Sequence, residues 1–182
     1  MKSLGVKTFI YPQPVLILGT FDENGKPNAM NAAWGGIYDY DKVYVSLSNH
    51  KTTDNFKVNK CFTLGIGDVK NVVACDYVGI VSGKKEPDKV QKAGWTYTKS
   101  EKINTPIFNE LPITIECEID SFKDGILIGK ILDVLAQDEI IGSDGLPSLD
   151  KFTPISYDPV HHNYLELGKI VGKAFSDGKK IN

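Results

Sequence analysis

Runs of β-branched and aromatic residues dominate the first half of the chain, and several alternate apolar with polar side chains as half-buried strands do. Residues 15–21 form the first run. It is closed by Asp22-Glu23-Asn24-Gly25-Lys26-Pro27, whose Asn-Gly pair signals a hairpin. Residues 28–37 read as the return strand, and 43–47, alternating Val, Tyr, Val, Ser and Leu, as a third. After Asn49 the pattern changes, and Thr52 or Thr53 is placed to cap a short helix running to Asn59. Residues 61–66 alternate again as a strand. Asp68 is placed to cap a second helix through Val69, Val72 and Val73 that ends before Gly79. A third, short helix is predicted to follow Pro87 and stop at Gly94. In the second half, 112–122 and 126–136 face each other across Lys123-Asp124-Gly125, a further hairpin signal. Residues 138–159 are polar and turn-rich, which predicts a loop with at most a strand fragment. The apolar tail from Tyr164 to Phe175 is predicted to pack back on the body.

Short strands with tight hairpins, interrupted by short helices, predict a mainly β fold in which antiparallel pairing closes a barrel. Strand–helix alternation at βαβ spacing is missing, which argues against a doubly wound sheet and a Rossmann nicotinamide domain. No repeat or linker divides residues 1–182, so one folding unit is expected, with a tail from about residue 160 packing on the barrel or on a partner subunit. At 41% hydrophobic and 24% charged residues, composition is ordinary for a chain that buries a core. A net charge of −2 offers no footprint for nucleic acid or for a polybasic membrane surface. Arginine does not occur, so a phosphate must be held by lysine, hydroxyls and backbone N–H groups. Cys61, Cys75 and Cys117 are odd in number and widely spaced, which reads as buried free thiols rather than a disulfide framework or zinc site. The N-terminal stretch lacks an apolar signal region and no run is long enough to span a bilayer, so a cytoplasmic protein is expected.

Some tempting motifs fail. Gly65-Ile66-Gly67-Asp68 begins like a dinucleotide fingerprint but lacks the third glycine. Gly79-Ile80-Val81-Ser82-Gly83-Lys84-Lys85 resembles a P-loop, yet it is one residue short and Lys85 stands where the hydroxyl belongs. His161 and His162, if on a strand, point to opposite faces and do not converge on one metal.

Three segments together suit a phosphorylated, planar ligand. Asn31-Ala32-Ala33-Trp34-Gly35-Gly36 sets small side chains beside a tryptophan, so a flat ring can approach the backbone; alone, this is also core packing. Ser46-Leu47-Ser48-Asn49-His50-Lys51-Thr52-Thr53-Asp54-Asn55 joins hydroxyls and a lysine to a helix N-terminus, which suits a phosphate and equally suits an ordinary cap. Ser82-Gly83-Lys84-Lys85-Glu86-Pro87-Asp88-Lys89 adds a hydroxyl and cations, or is a solvated turn.

Taken in order with Pro14-Val15 and Gly19-Thr20, these segments resemble the flavin reductase-like, FMN-binding split-barrel family. The tail Tyr164-Leu165-Glu166-Leu167-Gly168, with Gly172-Lys173-Ala174-Phe175-Ser176, is similar to its flavoredoxin branch. The resemblance implies a split β-barrel that forms a homodimer and holds FMN non-covalently. Phosphate contacts would fall on Ser48, Lys51, Thr52, Thr53 and Asn55, with Ser82, Gly83, Lys84 and Lys89 nearby. Ring and ribityl contacts would fall on Asn31, Ala32, Ala33, Trp34 and the backbone of Ser46 and Leu47, with Phe175 lining the ring from the tail. Many relatives carry arginine where this chain has His50, which makes the grip on phosphate weaker or pH-dependent.

On this resemblance the redox chemistry belongs to the flavin, so no catalytic side chain is assigned. An NAD(P)H:flavin reductase, an electron carrier between redox proteins, and a flavin-binding or storage protein without turnover are the alternatives.

Overall fold

The structure, a computed structural model, describes residues 1–181. Its strands in chain order begin with β1 (Gln13–Pro14), β2 (Leu16–Phe21), β3 (Pro27–Ala32), β4 (Gly35–Asp39) and β5 (Lys42–Ser46). Helix α1 (Lys51–Asn55), strand β6 (Cys61–Ile66) and helices α2 (Val72–Ile80) and α3 (Lys89–Lys92) follow. Strands β7 (Tyr97–Lys99), β8 (Pro106–Phe108), β9 (Ile113–Lys123), β10 (Ile126–Ala136), β11 (Ile155–Asp158) and β12 (Asn163–Glu166) complete the order.

Seven strands form one antiparallel sheet in the order β3-β2-β6-β9-β10-β5-β4. Its edges, β3 and β4, are neighbours in sequence, separated by Ala33 and Trp34 alone. A link that short spans at most about 10 Å, so the sheet must curl until its edges nearly meet. They are not hydrogen-bonded to each other. The barrel is therefore split at this seam. The long β9–β10 hairpin carries two register shifts, which bend it into the curl. At its tip Asp124 and Gly125 both have positive φ, 52° and 80°, as a two-residue primed turn demands.

Every residue of β2 is buried, because it lies between β3 and β6 and is covered on both faces. Leu16 and Leu18 point to one face, where Met30, Val43, Val45, Phe62, Leu64 and Leu127 fill the inside of the curl. Val15 and Ile17 face the other way, into a second cluster with Cys75 and Val78 of α2, Val90 of α3, Trp95 and Phe108. The continuous apolar run at 15–18 thus serves two cores on opposite sides of one strand.

Some expectations need correction. Residues 28–37 are two strands at opposite edges rather than one, because the chain must cross the seam at Ala33–Trp34. The first helix is capped by His50, with Thr53 inside it, and it ends at Asn55 rather than Asn59. Helix α2 runs through Gly79 to Ile80, following a 3-10 turn that Asp68 caps. His161 and His162 sit in the β11–β12 turn, not on a strand, and bond to Asp158 and Tyr157 respectively. Of the tail, β12 pairs with β11, while Ile170, Val171 and Phe175 are 84, 93 and 99% exposed. Residue 182 of the tail lies outside the described residues. Among the described residues, no helix is long and apolar enough to cross a membrane.

Candidate functional site

Three cavities run together along β3 at the seam. The first, about 310 Å³, is lined by Met30, Asn31, Ala32, Ala33, Trp34, Ser46, Leu47, Ser48 and His50. The second, about 160 Å³, is lined by Asn28, Met30, His50, Lys51, Thr52, Gly79, Ile80, Val81, Ser82, Gly83 and Lys89. The third, about 230 Å³, is bounded by Asn31, Ala33, Asp76, Gly79, Ile80, Tyr157 and Tyr164. Shared walls make them neighbours: Met30 and His50 border the first two, Asn31 and Ala33 the first and third. An edge strand leaves backbone N–H and C=O groups unpaired on its outer side, so this wall can offer main-chain hydrogen bonds to a flat ligand.

The wide cavity has the character of a ring site. Ala32 and Ala33 keep its wall thin, and Trp34 stands 56% exposed beside them. Ser46 is anchored by its N–H donating to the Trp34 carbonyl (2.7 Å), and Leu47 donates to Gly125 (2.7 Å), so the opposite wall is held by backbone. Ser48 Oγ lies 2.9 Å from His50 Nε2.

The narrow cavity is lined by polar groups that are hydrogen-bonded to one another. His50 donates its backbone N–H to Thr53 Oγ1, which returns a bond to the His50 carbonyl, both at 2.9 Å. Asn28 Nδ2 donates to Thr52 Oγ1 (2.8 Å), which leaves Asn28 Oδ1 buried and without a partner among the described residues. Gly83 makes that approach possible, because a Cβ there would lie 2.2 Å from Asn28 Oδ1. Lys51 reaches Asp22 at 3.6 Å.

Lys89 is the unusual member. It is 3% exposed, and its ammonium donates to the carbonyls of Val78 (2.9 Å) and Val81 (2.8 Å) at the end of α2. Those carbonyls are orphans of the helix terminus, where a cation is favoured. Burial pushes the Lys89 amine down to about 8. An ammonium has three protons, so one remains for the cavity it lines.

Other residues singled out from the sequence stand apart from the cavities. Asn55 is buried and donates to Thr20 Oγ1 (2.9 Å), so its side chain pins α1 to β2. Thr53 is occupied in the His50 cap. Lys84 pairs with Asp54 (2.7 Å) at the rim. Phe175 is exposed and lines none of these cavities. Conversely, Asn28, Met30 and Asp76 line the site without being candidates from the sequence, and Gly79 and Tyr164, which the sequence offers only as a helix end in a failed P-loop and as part of the tail motif, line it too.

A larger cavity, about 520 Å³, opens elsewhere, between Asn24–Pro27 and Trp95–Tyr97. It shares no lining residue with the three above, and its one close charge pair, Lys26 with Asp88 at 2.6 Å, is already neutralised. Size alone does not make it the site.

A split seven-stranded curl with a cation-lined cavity beside a thin-walled one matches a known protein architecture. The flavin reductase like domain model matches residues 8–160. The chain belongs to this family. Flavoredoxin of Desulfovibrio vulgaris (Miyazaki F) is 35% identical, covering 98% of this chain and 99% of that one with a TM-score of 0.93. Flavoredoxin from Methanosarcina acetivorans is 23% identical over the full length of both chains, with a TM-score of 0.87. An FMN-binding domain of a flavin reductases-like enzyme from Shewanella baltica is 17% identical over 88% of this chain and 89% of that one, at 0.79, a likeness of fold. The fold of the family is the split barrel, as the resemblance implied.

Proposed function

We propose that the protein is a flavoredoxin-type redox protein that binds FMN non-covalently along β3. The observation that carries this reading is the junction of a buried-lysine cavity with a thin-walled cavity beside Trp34, sharing Met30 and His50. A phosphate monoester suits the first, since Lys89, Lys51, Ser82 and the Asn28 amide all border it. The Asn28 amide is well suited in particular. Rotated by half a turn it accepts from Thr52 and presents its NH₂ to an anion, which removes the orphaned oxygen. The isoalloxazine ring suits the second, held by edge-strand backbone and Trp34.

When bound, FMN supplies one- and two-electron redox chemistry. This chain's residues bind and orient it: Lys89, Lys51, Thr52 and Ser82 take the phosphate end, Asn31, Ala32, Ala33, Ser46 and Leu47 border the ring, and Ser48, bonded to His50, lies on the wide side of the junction. Lys84 steers anions from the rim. His50 contributes a polar group between the two ends.

Similarity to a flavoredoxin over nearly the whole of both chains favours an electron carrier over a reductase served by NAD(P)H. The free thiols Cys61, Cys75 and Cys117 fit a reducing, cytoplasmic setting. The protein works as a homodimer of single-domain subunits. Apolar Ile37, Ile170, Val171 and Phe175, all more than four-fifths exposed in the single chain, supply the interface, through which Phe175 reaches a partner's ring.

The test is an absorption spectrum of purified protein with FMN titration, followed by anaerobic NADH and NADPH. A yellow protein not bleached by either nucleotide, yet reduced by a redox protein, supports the carrier. Direct bleaching assigns it to the reductases, and failure to take up FMN removes the reading.

A further inference from the structure

We propose, resting on the flavin reading above, that Asp76 and Tyr164 are positioning residues that lock the Asn31 amide with its carbonyl oxygen presented to a ring N–H of the cofactor. Three elements meet at this amide: β3 carries it, α2 carries Asp76 and β12 carries Tyr164. Asn31 Nδ2 donates to the Cys75 carbonyl (3.0 Å) and to the Tyr164 hydroxyl (3.3 Å). The Tyr164 hydroxyl in turn donates to Asp76 Oδ1 (2.9 Å).

Donor and acceptor inventories fix the polarity of this chain. A backbone carbonyl only accepts, so the nitrogen end of the Asn31 amide must face Cys75. A carboxylate only accepts, so the single phenolic proton goes to Asp76 and the hydroxyl oxygen offers Asn31 a lone pair. Both amide protons are thereby spent. Flipping the amide would set its oxygen against two acceptors, which the half-buried site would not tolerate. Burial, then Asp76, holds the Tyr164 phenol well above its ordinary range, so the relay keeps its proton at working pH.

What remains is Asn31 Oδ1, which has no hydrogen-bond partner among the described residues and is not sealed in the core. Asn31 lines the cavity beside Trp34 and the one beside Tyr164. Gly79 of α2 packs against the back of the same side chain, where a Cβ would lie 3.0 Å from Asn31 Cβ. A tie between β12 and α2 needs only the Tyr164–Asp76 bond. Drawing in Asn31 has the added result of presenting an acceptor of fixed polarity to the cavity wall.

An isoalloxazine offers one ring N–H donor in both redox states and further ring N–H donors only after reduction. Full-length Tyr164→Phe and Asp76→Ala are compared with wild type by fluorescence titration of FMN, by midpoint potential against anaerobic dyes, and by melting of the apoprotein. Ala suits a helix, so Asp76→Ala provides a folded second variant. If the permanent N–H is bound, both variants weaken oxidised FMN about 3- to 10-fold. If a reduction-dependent N–H is bound, that affinity holds and the potential falls by up to about 30 mV, a tenfold ratio for two electrons. The proposal is overturned if affinity and potential both match wild type, including the case where only the melting temperature drops. A wild-type protein that takes up no FMN would instead fail the flavin reading itself, and the relay with it.

Discussion

The two ends of the site differ in how their side chains are employed. At the narrow end polar groups of the lining already serve the protein, Thr52 accepting from Asn28 and Lys89 closing α2, and just outside it Thr53 and Asn55 fix α1. At the wide end the wall is small side chains, strand edge and an exposed tryptophan. Substitutions at the narrow end should therefore disturb fold and phosphate binding together, whereas those at the wide end should touch the ring alone.

The harshest way to break this contrast is Gly83→Val. Its side chain collides with Asn28 and fills the narrow cavity. Fluorescence titration should show FMN weakened about 100-fold, the loss of one or two charge-assisted hydrogen bonds, with riboflavin changed less than about 3-fold. Equal losses for both ligands would erase the distinction between the two ends.

Lys89→Met comes next. Leaving the Val78 and Val81 carbonyls without a donor should lower stability by about 1–3 kcal/mol in urea unfolding. The same residue sets a pH dependence. Its lowered value means the unfolded chain binds the extra proton between about 8 and the ordinary lysine range, so this group adds stability as pH rises through that window. A phosphate favours the ammonium, so FMN affinity should do the opposite, falling about tenfold between pH 7 and pH 9. Lys89→Met should flatten both slopes.

Trp34→Ala sharpens the comparison from the other side. FMN and riboflavin should both weaken about 5-fold, a loss of about 1 kcal/mol, while the melting temperature of the apoprotein stays within a degree or two, since Trp34 is more than half exposed. The smallest effect is expected from Lys84→Ala. Its pair with Asp54 is half in solvent, so stability should move by less than about 0.5 kcal/mol and FMN affinity less than 3-fold.

Much of this was legible in the chain because hairpins advertise themselves. The turns after Phe21 and Phe122 lie where the residue pattern puts them. The break at Ala33–Trp34 was not legible, because a strand pattern says which face is buried and nothing about which edge of the sheet a strand will join. His50 was passed over as a cap because hydroxyls normally take that role, and Thr53 acts from the third helical position instead. Lys89 is placed near the phosphate by the resemblance, but its burial was not legible: lysines are seldom buried, and only the fold shows that the ends of α2 and α3 enclose this one. Asp76 and Tyr164 lie 88 positions apart, beyond any local pattern. Phe175, placed near the ring by resemblance, stands clear of the cavities in the isolated chain.

The two-residue bridge from β3 to β4 has a mechanical consequence. A molecule lodged at that crossing touches the first and last members of the sheet at once, so its arrival clasps the ring of strands where hydrogen bonding leaves it unfastened. Amide exchange in β3 and β4, the strands free on one side, should then slow more on ligand addition than in β6 or β9, which are already held from both sides.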